Sequence, residues 1–196
     1  MKKRCSALAL SCLASLILSF GIFPVWAGAG DVSPVPALIS DADPAGTNVR
    51  LSPSGEVAAV MPFTRAPRIV LVLDSQKGWF RVKPFPVDEY ELEGVATLPA
   101  ALPDGWMHGS VLALCPCPSE DGDPWLYVSP RWSAETDVRI PGASPLRPLE
   151  RKGEWLKVRA VKDGKNVDRW LHEQQVSASV GELGDCQSHI VKSWKK

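Results

Sequence analysis

Short apolar runs separated by turn-forming residues make up most of this chain. Residues 47–51 (TNVRL) alternate polar and apolar positions, and residues 56–60, 68–73 and 79–83 are short runs rich in aliphatic, β-branched or aromatic side chains. A period of two is typical of strands, and 18 prolines with 15 glycines supply turns between them. The pattern predicts an all-β fold, and no stretch shows a helical period longer than two turns.

One phrase occurs twice along the chain. Residues 78–82 (GWFRV) are followed by residues 105–111 (GWMHGSV), and residues 154–158 (EWLKV) are followed by residues 169–176 (RWLHEQQV). Each copy has the order tryptophan, apolar residue, base and valine, then tryptophan, apolar residue and histidine. Because such self-similarity marks repeated structural units, we expect two related small domains in tandem.

Composition sets the expected domain boundaries. Proline, aspartate and glycine are frequent in residues 115–124, which favours a connection between the two units there. The predicted organisation is a signal peptide over 1–27, a mobile linker over 28–45, a first unit over 46–114 with an insertion at 84–104, a linker over 115–124, a second unit over 125–180 and a C-terminal tail over 181–196.

The N-terminus has the pattern of a secretory signal peptide. Three basic residues at 2–4 precede an apolar stretch over 7–25, and residues 25–27 (VWA) end in the small residue that a signal peptidase requires. The stretch is near the length of a membrane-spanning helix, so an uncleaved anchor is the alternative interpretation. Gly21 and Pro24 interrupt it, and no basic cluster follows. We expect cleavage, no stable membrane span afterwards, and a periplasmic or secreted protein.

The charge balance argues against one class of partner. The chain has 22 basic and 22 acidic residues, and removal of Lys2, Lys3 and Arg4 would leave 19 basic residues against 22 acidic ones. A chain this close to neutral has no strong field toward nucleic acid or anionic lipid. Nucleic acid is therefore not expected among the partners.

The eight tryptophans of the chain are a heavy aromatic load. Large rings supply much of the buried area in small barrels with thin cores.

The first unit resembles a bacterial SH3-like (SH3b) domain. That family opens with an Asn-Val-Arg phrase and a Ser/Pro turn, has a central Gly-Trp strand and closes on a Gly-Trp-apolar-His strand. Residues 47–53 (TNVRLSP), 78–82 and 105–112 (GWMHGSVL) match these features in that order. The resemblance implies two small SH3-like β-barrels in tandem, which bind cell-wall peptide or an envelope protein without catalysis.

The second unit departs from this pattern at its start. Residues 127–130 (YVSP) stand where the Asn-Val-Arg phrase would be, so the arginine is missing. The literal Asp-Val-Arg at residues 137–139 lies too close to Trp155 to be the counterpart of that phrase. The match in this unit is therefore mainly to the Trp-containing hairpin.

Three cysteines follow the signal segment, at Cys115, Cys117 and Cys186. In an oxidising compartment the leading hypothesis is a disulfide from Cys186 to either of the other two. A zinc site of three thiolates with His189 is one alternative, although Cys-x-Cys is tighter than the usual zinc spacing. A nucleophilic Cys186, similar to that of cell-wall cysteine peptidases, is another, although only ten residues follow it. Neither a metal nor a cofactor is expected.

Loop aromatic residues are the candidates for ligand contact. Tyr90 lies in an acidic, aromatic excursion over residues 84–93, and Trp125, Tyr127 and Trp132 cluster where the second unit begins. The cluster of Trp125, Tyr127 and Trp132 has two equally good explanations, an interface between the two units and a platform that binds peptide or glycan.

No catalytic constellation is recognisable. His108 and His172 occupy equivalent places at the ends of closing strands and lack an adjacent nucleophile, which predicts packing or hydrogen bonding. We expect an exported, non-enzymatic binding protein. The alternatives are a protein–protein adaptor or inhibitor without affinity for the wall, and a fragment or accessory of a cell-wall hydrolase.

Overall fold

The computed structural model describes residues 32–86, 95–99, 104–118 and 122–193. In these residues the chain forms two antiparallel sheets and one α-helix, so the all-β expectation is correct in outline. No helix in this part of the chain is long and apolar enough to cross a membrane. The signal peptide predicted over 1–27 lies outside the described residues.

The first sheet contains the first unit and the segment before it. Its spatial order is β3-β2-β6-β5-β4-β1-β7. Strand β1 lies inside the sheet, antiparallel to β4 on one side and to β7 on the other. The strands are β1 (Val35–Ile39), β2 (Thr47–Arg50), β3 (Val57–Met61), β4 (Ile69–Gln76), β5 (Trp79–Pro84), β6 (Gly105–His108) and β7 (Leu112–Ala113).

The second sheet contains the second unit. Its spatial order is β10-β11-β12-β8-β9, and the β11–β12 hairpin is its longest pairing. Residues 137–139 lie in β9, which pairs with β8, so the Asp-Val-Arg phrase is not the counterpart of β2, as expected. The strands are β8 (Trp125–Tyr127), β9 (Thr136–Arg139), β10 (Arg147–Lys152), β11 (Trp155–Lys162) and β12 (Lys165–His172).

The two sheets share one hydrophobic core. Phe80 and Val82 of β5 and Leu156 and Val158 of β11 are fully buried, as the alternation of side chains along a strand predicts. All four belong to a single cluster of buried residues drawn from both sheets. The two units therefore pack against each other and are not independent domains joined by a linker.

A buried arginine also joins the sheets. Arg151 of β10 donates hydrogen bonds to the carbonyl oxygens of Val72 (2.6 Å) and Ser33 (2.6 Å) and to the carboxylate of Glu173 (2.7 Å). Its backbone N–H donates to the hydroxyl of Ser75 in β4 at 2.6 Å. Burial lowers the pKa of the Arg151 guanidinium, and the charge of Glu173 opposes that shift. One side chain thus ties three separate segments together.

The linker predicted over 28–45 contains strand β1, and the prediction of an irregular segment is wrong there. Val35 and Ile39 are buried in the shared core, whereas Leu38 is buried on the opposite face of the sheet. A strand covered on both faces shows no polar–apolar alternation, so its sequence gives no strand signal by period alone.

The tail predicted over 181–196 contains helix α1 (Val180–Ser193), which is a second correction. Its buried apolar residues Leu183, Cys186 and Ile190 follow the spacing of one helical face. The hydroxyl of Ser179 accepts the backbone N–H of Glu182 at 3.3 Å and so caps the helix. Two glycines lower the helix propensity of this segment, and its stability comes from docking onto the sheet. The buried partners in that docking include Leu38, Ile69, Phe85, Ala113 and Cys115.

Asp137 of β9 has two basic partners. Nε and Nη2 of Arg169 donate to its carboxylate at 2.6 and 2.5 Å, and Nζ of Lys162 donates at 3.0 Å. The hydrogen bonds from Arg169 are the main cause that holds the pKa of Asp137 well below its usual range. Because the folded-state pKa is the lower one, this pairing stabilises the fold above the unfolded-state pKa of about 3.9 and is lost as the pH falls further.

Asp137→Asn is therefore expected to lower the free energy of unfolding by roughly 1 kcal/mol at neutral pH, the upper end for ion pairs near a surface. The difference from wild type should narrow progressively below about pH 4, because wild type loses the same contribution there. Urea unfolding of both proteins across this pH range measures the difference. A gap that stays constant down to about pH 2 would contradict the assignment.

Candidate functional site

The repeated hairpins place equivalent residues in the same register. Trp79 of β5 pairs with His108 of β6, and Trp155 of β11 pairs with His172 of β12. The ring centroids are 5.2 Å apart in the first pair and 4.9 Å apart in the second, with an edge-on arrangement in both. The sequence repeat is therefore a structural repeat at these positions.

Each histidine begins a short 3-10 turn. His108 precedes the turn Gly109–Val111, and His172 precedes the turn Glu173–Gln175. Nδ1 of His172 accepts the backbone N–H of Gln174 at 3.2 Å, and the equivalent contact of His108 is 3.4 Å. These are the packing and hydrogen-bonding contacts expected of both residues.

The strand before each hairpin aligns differently from the sequence prediction. Arg50 of β2 pairs with Trp106 of β6, and Tyr127 of β8 pairs with Trp170 of β12. Tyr127 therefore occupies the place of Arg50. The sequence had matched Tyr127 to Asn48, the first residue of the Asn-Val-Arg phrase, which is two positions earlier. A shift of two residues keeps the same side chains on the inner face, so polarity alone did not distinguish the two alignments.

Four rings meet at the end of the second hairpin, and we call Tyr127, Trp132, Trp155 and His172 the four-ring cluster. The Trp132 ring lies 4.3 Å from that of His172, tilted by 35°, and 5.2 Å from that of Trp155. The Tyr127 ring lies edge-on to both tryptophans, at 5.6 and 5.2 Å. Edge-to-face and offset arrangements at these separations attract, so the four rings hold one another in place.

The four-ring cluster is closed on one side and open on the other. His172 is 2% exposed and Trp155 is buried, whereas Trp132 is 54% exposed. Nδ1 of His172 accepts the Gln174 N–H, and Nε2 lies 3.4 Å from the carboxylate of the exposed Glu154. The open side presents the exposed indole of Trp132.

Two of the predicted contact residues are not members of this cluster. Trp125 is 43% exposed, and its ring lies 5.6 Å from the guanidinium of Arg139. Tyr90 lies outside the described residues. The structure thus brings Tyr127 and Trp132 together and adds Trp155 and His172, which were not predicted as ligand contacts. Both residues belong to the repeated phrase, but the repeat gives no indication that the loop with Trp132 packs against them.

The disulfide joins Cys115 to Cys186, one of the two pairings that the sequence allowed. Cys117 is a free thiol and donates to Oε1 of Glu182 at 3.3 Å. Burial raises the pKa of the Cys117 thiol, and the nearby Glu182 raises it further. The thiol is therefore protonated at neutral pH and is a weak nucleophile.

The disulfide also consumes two thiols of the hypothetical zinc site and the hypothetical nucleophile Cys186. His189, the fourth ligand of that hypothesis, is exposed on α1. Within the described part of the chain, no group of three or more His, Cys, Asp or Glu side chains is arranged to hold a metal ion. The geometry at the cysteines is that of a structural bridge.

Comparison with known proteins adds little to this picture. A scan against protein-family models and a search of curated proteins found no match. Among solved structures, the chain is similar to NlpC1 and NlpC2 of Trichomonas vaginalis, at 10% identity to each. The match to NlpC1 covers 76% of this chain and 47% of that one with a TM-score of 0.29, and the NlpC2 values are 75%, 49% and 0.28. This chain spans about half the length of either structure, and TM-scores this low assign neither fold nor function.

Proposed function

We propose that this chain is an exported, non-catalytic binding protein built on two SH3-like units, and that its four-ring cluster binds cell-wall peptide. The observation that carries the proposal is the exposed indole of Trp132, fixed 4.3 Å from the buried His172 ring. An aromatic side chain that is already immobile loses little conformational entropy when a ligand packs on it. The choice of wall peptide as ligand follows from the resemblance of the first unit to SH3b domains.

Three further features support parts of this proposal. The repeated Trp–His hairpins, each followed by a 3-10 turn, support a common origin of the two units. The Cys115–Cys186 disulfide suits an oxidising compartment and thus export. The raised pKa of the Cys117 thiol argues against Cys117 as a nucleophile.

Co-sedimentation with purified peptidoglycan at low salt tests the proposal. We expect wild-type protein to sediment with the wall, and Trp132→Ala to raise the dissociation constant about tenfold or more, as for a central aromatic contact. Trp125→Ala is the matched control, because Trp125 is also an exposed tryptophan of the second unit but lies against Arg139. It should bind within about twofold of wild type, as expected for a residue outside the contact.

Wild-type protein that stays in the supernatant would overturn the wall-peptide proposal and favour the adaptor. Equal losses in the Trp132→Ala and Trp125→Ala variants would show that binding does not use the four-ring cluster. Both variants need intact folds, which near-ultraviolet circular dichroism and thermal unfolding establish before the binding assay.

A further inference from the structure

The first unit has a cleft where the second unit has Trp132. The cleft has a volume of about 180 Å³, and Arg50, Trp79 and His108 are among its lining residues. By strand register, these three residues are the equivalents of the three rings that contact Trp132 in the second unit. The same framework therefore exists twice. In the second unit the Trp132 indole covers it, and in the described part of the first unit it borders an open cleft.

Loop length explains the difference between the units. Trp132 lies on the loop over residues 128–135 that connects β8 to β9, and this loop folds back onto the hairpin. The equivalent connection between β2 and β3, residues 51–56 (LSPSGE), is shorter and has no aromatic residue. The first unit cannot fill its own cleft from this loop.

We propose that the cleft of the first unit binds an aromatic side chain of a protein partner, in the position that Trp132 takes in the second unit. Its volume is well below the roughly 300–1,000 Å³ of small-molecule pockets, so it suits a single side chain rather than a whole metabolite. The indole of Trp132 shows which group such a framework holds: a flat ring set against imidazole and indole. The guanidinium of Arg50, 5.8 Å from the Trp79 ring, offers an additional cation–π partner to a bound ring.

The wall of the cleft is fixed from behind. The buried Arg68 donates from Nη1 to the hydroxyl of Thr47 at 3.2 Å and from Nη2 to the backbone carbonyl of Asp41. The Thr47 hydroxyl in turn donates to the Asp41 carboxylate at 3.1 Å. Both Thr47 and Asp41 line the cleft. A wall held in this way needs little rearrangement on binding, which favours affinity for a small group.

Acidic side chains select among aromatic ligands. Asp41 and Asp43 both line the cleft with Arg50, so two carboxylates face one guanidinium there. Both oxygens of Asp41 and Oδ1 of Asp43 already accept hydrogen bonds within the chain, but the excess negative charge still favours a donor or a cation beside the ring. The best-matched partner is therefore a tryptophan, whose indole N–H is a donor, with a lysine next to it in an extended peptide. This inference concerns a different unit and ligand from the wall-peptide proposal and does not rest on it.

Nuclear magnetic resonance titration with the peptide acetyl-Gly-Lys-Trp-Lys-Gly-amide tests this inference. We expect saturable shifts of the Trp79 and His108 side-chain resonances, with a dissociation constant of about 1 mM or below, as for one small contact. The same peptide with Ala in place of Trp should bind at least about tenfold more weakly. Asn48→Trp should block binding, because Asn48 is an exposed residue that lines the cleft. Val161→Trp is its matched control and should bind like wild type, because it adds the same side chain at an exposed position of β11 outside the cleft.

Several results would overturn the inference. Equal shifts with the Ala peptide would show that the ring is not what is recognised, and shifts centred on Trp132 would place binding in the other unit. Shifts of Trp79 and His108 that depend on protein concentration without peptide would identify a second copy of this chain as the occupant. Trp132→Ala should leave peptide binding unchanged while it reduces wall binding, so failure of one proposal is distinguishable from failure of the other.

Discussion

Replacing Arg151 with methionine is expected to lower the free energy of unfolding by about 3–5 kcal/mol, because it leaves buried groups without their partner. The Arg151 side chain is 2% exposed and donates to three carbonyl oxygens and to the Glu173 carboxylate. Methionine fills much of the same space but donates no hydrogen bond. Three carbonyl groups and one carboxylate would then lose a charged donor near the junction of the two sheets. Urea unfolding at neutral pH measures the loss.

The matched control for this variant is Arg147→Met. Arg147 lies on the same strand, β10, but is exposed, so its replacement should change stability by less than about 0.5 kcal/mol. Arg151→Lys should fall between the two, since a single ammonium cannot span acceptors arranged for a planar guanidinium. Equal losses in Arg151→Met and Arg147→Met would show that these hydrogen bonds do not stabilise the junction.

Cys186→Ser is expected to lower the free energy of unfolding by about 2–4 kcal/mol under non-reducing conditions. The bridge to Cys115 spans a sequence separation of 71 residues, and it fastens helix α1 to the segment after β7. Without the bridge, the unfolded chain regains the entropy that the closed loop had removed. The helix also loses its covalent link to the sheet, so its amide protons should exchange faster than those of β11 and β12.

Cys117→Ser is the control, because serine keeps a donor for Glu182 and leaves the bridge intact. Its stability should stay close to that of wild type. Thiol titration adds a second measurement: protein from which residues 1–27 have been removed should show one free thiol before reduction and three after it. A larger loss in Cys117→Ser than in Cys186→Ser would show that the bridge is paired differently.

The hairpins are the part of the fold that local sequence predicted best. Along β5 the buried Phe80 and Val82 alternate with more exposed residues, which gives a period that can be counted. Leu156 and Val158 of β11 repeat this period, although Trp155 before them is also buried. Repetition of the phrase then predicted that two such hairpins exist. Strand β1 and helix α1 escaped prediction for the opposite reason. β1 is covered on both faces, and α1 contains glycines that lower its intrinsic propensity.

The candidate site was predicted only in part. Tyr127 and Trp132 were predicted as aromatic contact residues, but His172, which packs against Trp132, is 40 residues further along the chain. A hydrophobic period describes neighbouring positions only, so it does not indicate a contact between residues this far apart. Arg151 carried no signal at all, because an arginine on a strand with polar neighbours is typical of an exposed edge.

The sequence by itself determined the class of secondary structure, the number of repeated hairpins and the short set of possible cysteine pairings. These properties depend on local alternation, turn residues and counting, all of which act over a few neighbouring positions. Only the tertiary structure decided that Cys115 is the bridged partner, that Trp132 seats on His172 and that the equivalent place in the first unit is an open cleft. Each of these depends on which loops reach which strands, and that is set by packing between segments distant in the chain.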